Sequence, residues 1–353
     1  MPVLARMLAS PLFLDVRAGA VDGLAALLHQ RYLSATGTVL VAVGASQGEE
    51  IWSRIADSMP NADVFTVPSA TLKSANKLRS RLGERGYDAV VAIGGGKTLD
   101  VAKYAATRAA LPMVSVATNL AHDGICSPVA SLEHRHGKGS FGVALPLAVV
   151  VDLDFVRAAP LNQVNAGVGD ALSNLSAIAD WRLAEAERGE PVDGLSICFA
   201  QTAAESVLHH PGTVDDDDFL VTLAQALVMS GMAMSVAGTS RPCSGACHEI
   251  VHAVDQLFPG TSNHGELAGV GALFATHLRG DSSRFAQLRT TLSRHGLAVT
   301  PEQLGLSAAQ FTEAVLFAPQ TRPDRYTILE HADLDDAATA AAVAEFAEAA
   351  GQQ

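Results

Sequence analysis

The sequence predicts an N-terminal α/β domain built on a parallel sheet, followed by a domain that is entirely helical. Short apolar runs alternate with longer helical stretches as far as about residue 151, which is the pattern of a parallel sheet covered by helices. After Asp152 the chain is rich in alanine and leucine with helical periodicity. We therefore place the domain boundary near residue 155, which gives predicted domains of residues 1–155 and 156–353.

The apolar runs of the first domain predict buried strands, because a parallel sheet is covered on both faces. These strands are Leu12–Ala18, Thr38–Val43, Val64–Val67, Ala89–Ile93, Met113–Val116 and Ala148–Val151. The predicted helices between them are Val21–Arg31, a stretch ending at Met59, Thr71–Leu82 and a helix from about Thr98. Those of the second domain are Ala166–Glu187, Leu195–His209, Phe219–Val236, Gly245–Leu257 and Leu267–Leu278, with an Ala/Glu-rich helix near the C-terminus.

Composition limits the classes of function. Apolar residues make up 48% of the 353 residues and charged residues 17%, so two domains with sizeable cores are expected. The formal charge of −13 argues against a nucleic-acid partner, which needs a basic face. We find no apolar run long enough to predict a membrane span and no signal-peptide pattern. Four cysteines in such a chain are expected to be free thiols in the cytoplasm.

Three consecutive glycines, Gly94–Gly96, follow a predicted strand and precede a predicted helix. A helix start at such a turn offers unpaired backbone N–H groups and the positive end of the helix dipole, which suits a phosphate or pyrophosphate. The spacing matches neither the Rossmann fingerprint nor a P-loop. A simple tight turn therefore remains the alternative.

A polar loop, Thr118–Pro128, follows the next predicted strand and contains adjacent imidazole and carboxylate groups at His122 and Asp123. Loops that a rigid sheet holds in place often carry binding residues. Turn chemistry around Asp123 and Gly124 explains the same residues equally well.

The helical domain holds candidate metal ligands. His248 and His252 are four residues apart and point the same way from a predicted helix, and His264 starts a His-Gly-Glu turn before the next helix. Two imidazoles and a carboxylate that leave an open position suit catalytic Zn²⁺ or Fe²⁺. Asp170 lies early in another helix, where a carboxylate favoured by the helix dipole is the simpler interpretation.

Taken together, several segments resemble the iron-containing alcohol dehydrogenase and dehydroquinate synthase superfamily. Within it, the chain looks most like the sn-glycerol-1-phosphate dehydrogenases and the related glycerol dehydrogenases, over residues 10–280. The resemblance rests on Gly94–Lys103, His122–Pro128, Gly169–Asn174, Ser244–His248 with His252, and His264–Glu266.

The resemblance implies a dehydroquinate synthase-like fold with a Rossmann-like first domain and an NAD(P)-linked oxidoreductase that interconverts a secondary alcohol and a ketone. It implies a divalent metal bound by Asp170, His248 and His264, and it favours Zn²⁺ over Fe²⁺. The residues implied near NAD(P) are Gly94, Gly95, Gly96, Lys97, Thr98, Asp100 and Thr118. Asp123 would face the substrate and His252 would relay protons. The metal would lower the pKa of the substrate alcohol so that hydride can pass to the nicotinamide.

The chain departs from the glycerol-1-phosphate dehydrogenases at two motifs. Ala121 stands where they usually have serine, and Ala246 and Cys247 stand where they usually have serine and glutamate. Each change removes a polar group beside the implied substrate site. The substrate therefore stays open between glycerol phosphate and another small phosphorylated or hydroxylated molecule.

Other classes are compatible with parts of the pattern. A cyclase of the dehydroquinate synthase type would share the fold, NAD and metal, but the sequence has fewer basic residues after His122–Gly124 than such enzymes carry. A non-catalytic binding protein or an Fe²⁺ oxygenase is disfavoured by the complete ligand set and by the glycine turn. NAD and NADP are not distinguished, because Glu49 and Glu50 are poorly placed to hold the ribose. We expect a homo-oligomer, as in related enzymes.

Overall fold

A computed structural model of the chain describes residues 9–30, 33–45, 47–135 and 137–352. The chain divides into two compact units, of which the first ends at Ala159 and the second begins at Pro160. The first contains a parallel sheet with helices, and the described residues of the second are helices and connections. The predicted fold class is confirmed.

Eight strands form in the described part of the first unit. They are β1 Phe13–Arg17, β2 Val39–Gly44, β3 Asp63–Val67, β4 Ala89–Gly94, β5 Met113–Ala117, β6 Val129–His134, β7 Gly137–Gly142 and β8 Ala148–Asp152. The helices of this unit are α1 Leu24–Gln30, α2 Gln47–Ile55, α3 Leu72–Leu82, α4 Gly96–Arg108 and α5 Leu153–Ala158. Short 3-10 turns occupy Ala20–Gly23, Ala56–Ser58 and Asp123–Ile125.

Six of the strands form one sheet in the order β1-β8-β5-β4-β2-β3, and all neighbours are parallel. Every residue of β2, β4 and β5 is buried, which explains why these strands are unbroken apolar runs in the sequence. Gly94 of β4 pairs in register with Ala117 of β5. The glycine turn and the polar loop after Ala117 therefore leave the same edge of the sheet from adjacent strands.

The antiparallel hairpin β6–β7 was not predicted. In β6 only Ala130 and Leu132 are fully buried, and β7 contains three glycines and no fully buried residue. Neither strand has the long apolar run that identified the central strands.

Nine helices form in the described part of the second unit. They are α6 Leu161–Arg188, α7 Gly194–His209, α8 Asp217–Ala237, α9 Ala246–Leu257, α10 His264–Leu278, α11 Ser282–Arg294, α12 Ala308–Thr321, α13 Ile328–Ala332 and α14 Asp336–Gly351. A 3-10 turn spans Glu302–Leu304. Residues 267–276 of α10 are all buried, so this helix forms the centre of the unit.

By length and composition alone, α8 is apolar enough to cross a membrane. About 61% of its most apolar window is buried inside the folded chain. A core helix passes the same test of length and composition, and α8 packs against α7 in this unit. Its apolar character is therefore accounted for by packing within the unit.

Candidate active site

Three side chains that are far apart in the sequence meet in the helical unit. Asp170 lies on α6, His248 on α9 and His264 at the start of α10. Nε2 of His248 lies 3.6 Å from Oδ1 of Asp170, and Nε2 of His264 lies 3.7 Å from the same oxygen. One donor atom from each residue lies within 4.8 Å of the other two. The structure thus brings the predicted ligand set together at distances that a single divalent cation can bridge.

Glycines allow the three helices to approach closely at this point. A Cβ atom on Gly269 of α10 would lie 3.3 Å from Cα of Gly169 on α6, and one on Gly169 would collide with the carbonyl oxygen of Gly265. A Cβ atom on Gly271 would lie 2.7 Å from the carbonyl oxygen of Cys247 on α9. Since side chains here would force the helices apart, the glycines set the spacing between the ligand-bearing helices.

The cluster is shielded from water and stabilises positive charge. The side chain of Asp170 is 4% exposed and that of His248 is 11%, whereas His264 is 33% exposed. Burial alone would lower the pKa of His248, but the neighbouring Cys247 and Asp170 outweigh it and raise this pKa to about 10. The surroundings of His248 therefore favour a positive charge, which either a proton or a divalent cation can supply. Two imidazoles and a carboxylate therefore fit a divalent metal.

The thiol of Cys247 supports the ring of His248 from the side opposite Asp170. Its Sγ lies 3.3 Å from Nδ1 of His248 and 3.8 Å from the carbonyl oxygen of Ser173 on α6. A metal-binding histidine usually fixes its tautomer through a hydrogen bond at the other ring nitrogen. Here a sulfur atom takes the position that a carboxylate or carbonyl oxygen commonly holds, which leaves Nε2 directed toward Asp170.

His252 lies one helical turn beyond His248 on α9 and contacts a residue from the last part of the chain. Nη2 of Arg322 lies 3.1 Å from Nε2 of His252. Because a guanidinium group only donates hydrogen bonds, Nε2 accepts and the ring proton is placed on Nδ1. Arg322 follows α12 directly, in a segment where the sequence shows no motif.

The glycine turn joins β4 to α4 as the sequence predicts. Gly95 is the N-cap of α4 and has no side chain to bond the first N–H groups. A Cβ atom on Gly94 would lie 2.8 Å from Cβ of Thr98, and one on Gly96 would lie 2.8 Å from Cε1 of His122. Lys97 is exposed and Thr98 is buried. The start of this 13-residue helix thus has the backbone groups that an anion requires.

Asp100 has a different role from its predicted neighbours. Its carboxylate lies 2.9 Å from Nζ of the fully buried Lys103 and accepts a hydrogen bond from the backbone N–H of Ser131 at 3.0 Å. Nζ of Lys103 also donates to the carbonyl oxygen of Val129 at 2.6 Å. These contacts fix the hairpin β6–β7 on α4, so the contacts of Asp100 with Lys103 and Ser131 are structural.

The loop after β5 lies beside the glycine turn. The backbone N–H of Thr118 donates to the carbonyl oxygen of Gly94 at 3.2 Å. His122 accepts a hydrogen bond on Nδ1 from the N–H of Gly124 at 3.0 Å, and Asp123 starts the 3-10 turn that follows. The structure therefore brings Thr118 and the glycine turn together at one edge of the sheet.

Comparisons with known proteins agree with this architecture. The sequence profile of iron-containing alcohol dehydrogenase matches residues 15–160. A glycerol-1-phosphate dehydrogenase [NAD(P)+] of Hyperthermus butylicus is 34% identical over 325 residues, which cover 90% of this chain and 92% of that protein. One of Methanosarcina acetivorans is also 34% identical and covers 85% of each chain. The crystal structure of a probable glycerol dehydrogenase from Sinorhizobium meliloti has the same fold, with a TM-score of 0.76 and 23% identity over 99% of this chain and 100% of that one.

The fold, the site and these relatives define an oxidoreductase of the NAD(P)-dependent dehydrogenase class. The chain belongs to the iron-containing alcohol dehydrogenase family.

Proposed function

We propose that this chain is a metal-dependent, NAD(P)-linked dehydrogenase that interconverts sn-glycerol 1-phosphate and dihydroxyacetone phosphate. The observation that carries the proposal is the meeting of Asp170, His248 and His264 in one shielded cluster. The names of the relatives that cover most of the chain support the substrate.

Asp170, His248 and His264 would hold the cation, and Gly94–Gly96 would hold the pyrophosphate of NAD(P) at the start of α4. We propose Zn²⁺ in preference to Fe²⁺, because two imidazoles and one carboxylate with an open position are a common catalytic zinc set. When bound, the cation supplies Lewis acidity to the substrate oxygen and the nicotinamide exchanges hydride.

The remaining steps belong to the residues of the chain. We propose that His252 moves the proton of the substrate hydroxyl, since it lies one helical turn beyond the candidate ligand His248 on α9 and its ring is half-buried. Asp123 is proposed to orient the substrate, and Thr118, Lys97 and Thr98 to line the cofactor.

We also propose that the enzyme works in the cytoplasm as a homo-oligomer. Cys126, Cys243 and Cys247 are buried, and within the described part of the chain the four cysteines form no disulfide, which suits a reducing compartment. The oligomer rests on the resemblance to related enzymes.

The function is tested on purified protein loaded separately with Zn²⁺ and Fe²⁺. Oxidation of NADH and of NADPH is followed with dihydroxyacetone phosphate and with dihydroxyacetone, and the metal content is measured on the same sample. We expect turnover that depends on metal and is faster with the phosphorylated ketone.

Two results would contradict the proposal. Turnover that persists after complete metal removal would exclude the metal role. Faster turnover of dihydroxyacetone would identify the chain as a glycerol dehydrogenase instead. This function is the second candidate, and the apolar residues Ala121 and Ala246 favour it.

A further inference from the structure

Two carboxylates of α6 contact the same turn of α9. One belongs to Asp170, whose Oδ1 lies 3.6 Å from Nε2 of the candidate ligand His248. The other belongs to Asp180, whose Oδ2 accepts a hydrogen bond of 2.8 Å from the backbone N–H of Ala246. The two carboxylates are ten residues apart, which is about 15 Å along a helix axis. Asp180 is therefore too distant to bind the same cation, and it contacts the backbone of α9 instead.

The first turn of α9 has no side-chain cap of its own. Gly245 is the N-cap residue and makes no side-chain hydrogen bond, whereas a serine, threonine or aspartate at this position would accept one from a free N–H group. Asp180 supplies the missing acceptor from another helix. Ala246 is the first residue of α9 and His248 is the third. The hydrogen bond therefore fixes the turn that carries the candidate ligand.

Gly245 also allows the carboxylate to approach the start of α9. A Cβ atom on Gly245 would collide with Oδ2 of Asp180 and would lie 3.1 Å from Cα of Ala177 on α6. A side chain at this position would therefore force α6 and the start of α9 apart.

The same carboxylate joins two further helices. Its Oδ1 accepts a hydrogen bond of 2.8 Å from the N–H of Ile328, the first residue of α13, and another from Nη2 of Arg279, which follows α10 directly. The side chain of Asp180 is fully buried, and helix N-termini and a guanidinium group stabilise a carboxylate in such a position. Because α10 begins with His264, Asp180 connects the three helices that carry the candidate ligands.

We infer that Asp180 is a positioning residue that sets the affinity of the candidate metal site, because it fixes the first turn of α9 and with it His248. This inference rests on the proposed function and adds a residue that acts from behind the ligands. Without the bond to Ala246, the end of α9 should open more often. His248 would then face Asp170 for a smaller fraction of the time, and the cation would bind more weakly.

The test compares Asp180→Asn with the wild type and uses Co²⁺ as the probe, because the visible absorption of bound Co²⁺ depends on the geometry of its ligands. Asparagine keeps the shape of the side chain, but it has one acceptor oxygen instead of two and no charge. We expect the dissociation constant for Co²⁺ to rise about 10- to 100-fold and the absorption of bound Co²⁺ to change. Amide hydrogen exchange in residues 246–249 should become faster.

The matched control is Asp335→Asn, which changes a carboxylate at the start of a helix that carries no candidate ligand. Asp335 is the N-cap of α14 and accepts a hydrogen bond of 2.8 Å from the N–H of Ala338. Its replacement should leave the affinity for Co²⁺ and the absorption unchanged. Thermal unfolding of the metal-free proteins is measured for every variant, so that a general loss of stability is recognised directly.

Gly245→Ala is a second variant, which keeps the charge of Asp180. Its methyl group should displace the carboxylate from the N–H of Ala246 and weaken the binding of Co²⁺ in the same way. This variant decides the question if Asp180→Asn does not fold.

Unchanged affinity and absorption in folded Asp180→Asn or Gly245→Ala protein would contradict the inference. A variant that loses stability but keeps both properties also contradicts it, because that result makes Asp180 a structural residue only. If the wild type binds no metal, or if Asp170→Asn binds it equally well, the proposed metal site is wrong. If Asp170→Asn weakens binding and the two variants at Asp180 and Gly245 do not, the metal site stands and only this inference fails.

Discussion

The two candidate binding regions of this chain are built from different groups. In the first unit, backbone N–H groups at the start of α4 form the candidate anion site, and glycines keep side chains away from it. In the helical unit, three side chains from α6, α9 and α10 form the candidate metal site. The first region depends on the path of one continuous segment, whereas the second depends on how helices pack.

The difference determines how each region should respond to substitution. A backbone site tolerates many side-chain changes but not a change that moves the turn. A side-chain site fails when one donor is lost, even if the fold is intact. Substitutions in the two regions should therefore be distinguishable by whether cofactor binding or metal content is lost.

Asp170→Asn should have the largest effect, because it removes the negative charge between two imidazoles without changing the shape of the side chain. We expect bound metal to fall at least about tenfold and turnover to fall about 1000-fold or more. Metal analysis and NAD(P)H kinetics on the same sample measure both quantities.

Asp218→Asn is the matched control, since this carboxylate is exposed at the start of α8 in the same unit. It should keep full metal content and turnover. If Asp170→Asn also kept both, Asp170 would not be a ligand and the side-chain description of the site would be wrong.

Gly94→Ala tests the backbone region. The added Cβ atom would lie 2.8 Å from Cβ of Thr98 and 2.7 Å from its Oγ1, so the turn must shift. We expect KM for NAD(P)H to rise by about 10- to 100-fold, because small displacements of a binding group have effects of this size. Metal content should not change, since all three candidate ligands belong to the helical unit. Cofactor titrations and metal analysis test the two halves of this expectation.

Gly86→Ala is the control for the loss of a glycine, because nothing lies within 4 Å of the position that its Cβ atom would take. It should leave KM for NAD(P)H unchanged. A Gly94→Ala protein that binds cofactor normally but has lost metal would reverse the assignment of the two regions.

The same contrast explains what could be predicted from the sequence. The central strands were predicted within one or two residues because burial on both faces leaves a continuous apolar run, as in Ala89–Gly94. The glycine turn was predicted because its residues are contiguous. Spacing alone suggested histidine ligands, but the choice of Asp170 and His264 with His248 came from resemblance to a family.

What the sequence did not reveal depends on contacts between distant segments. The contact of Arg322 with His252 joins residues 70 positions apart, and no local pattern marks Arg322. Cys247 appears in the sequence as a small apolar residue, whereas the structure places its sulfur against Nδ1 of His248. The hairpin β6–β7 was missed because its strands bury few side chains.

The smallest expected effect concerns a histidine that is buried without being near the metal cluster. His295 is 4% exposed and stacks on Phe219 with ring centroids 4.6 Å apart. Neither ring nitrogen has a hydrogen-bond partner among the described residues. Burial, with smaller contributions from Arg294 and His210, lowers the pKa of His295 to about 4. A buried imidazole of this kind is a packing group rather than a ligand.

The sign of the resulting pH dependence follows from linkage. In the unfolded chain His295 takes up a proton as the pH falls below about 6.5, whereas in the folded chain it stays neutral until about pH 4. The stability that His295 contributes is therefore present above pH 6.5 and is lost as the pH falls toward 4. His295→Leu removes this loss. Between about pH 7 and pH 5 the wild type should lose about 2 kcal/mol more unfolding free energy than the variant.

Urea unfolding at both pH values measures this difference, and the other histidines cancel because both proteins contain them. His209→Ala, which changes an exposed histidine on α7, should lose the same free energy as the wild type. Metal content should be equal in all three proteins, because a buried imidazole binds a cation only where other donors face it. Equal pH dependence in His295→Leu and wild type would mean that the folded protein binds a proton at His295. In that case, the lack of hydrogen-bond partners would not be enough to identify a histidine as a packing group rather than a ligand.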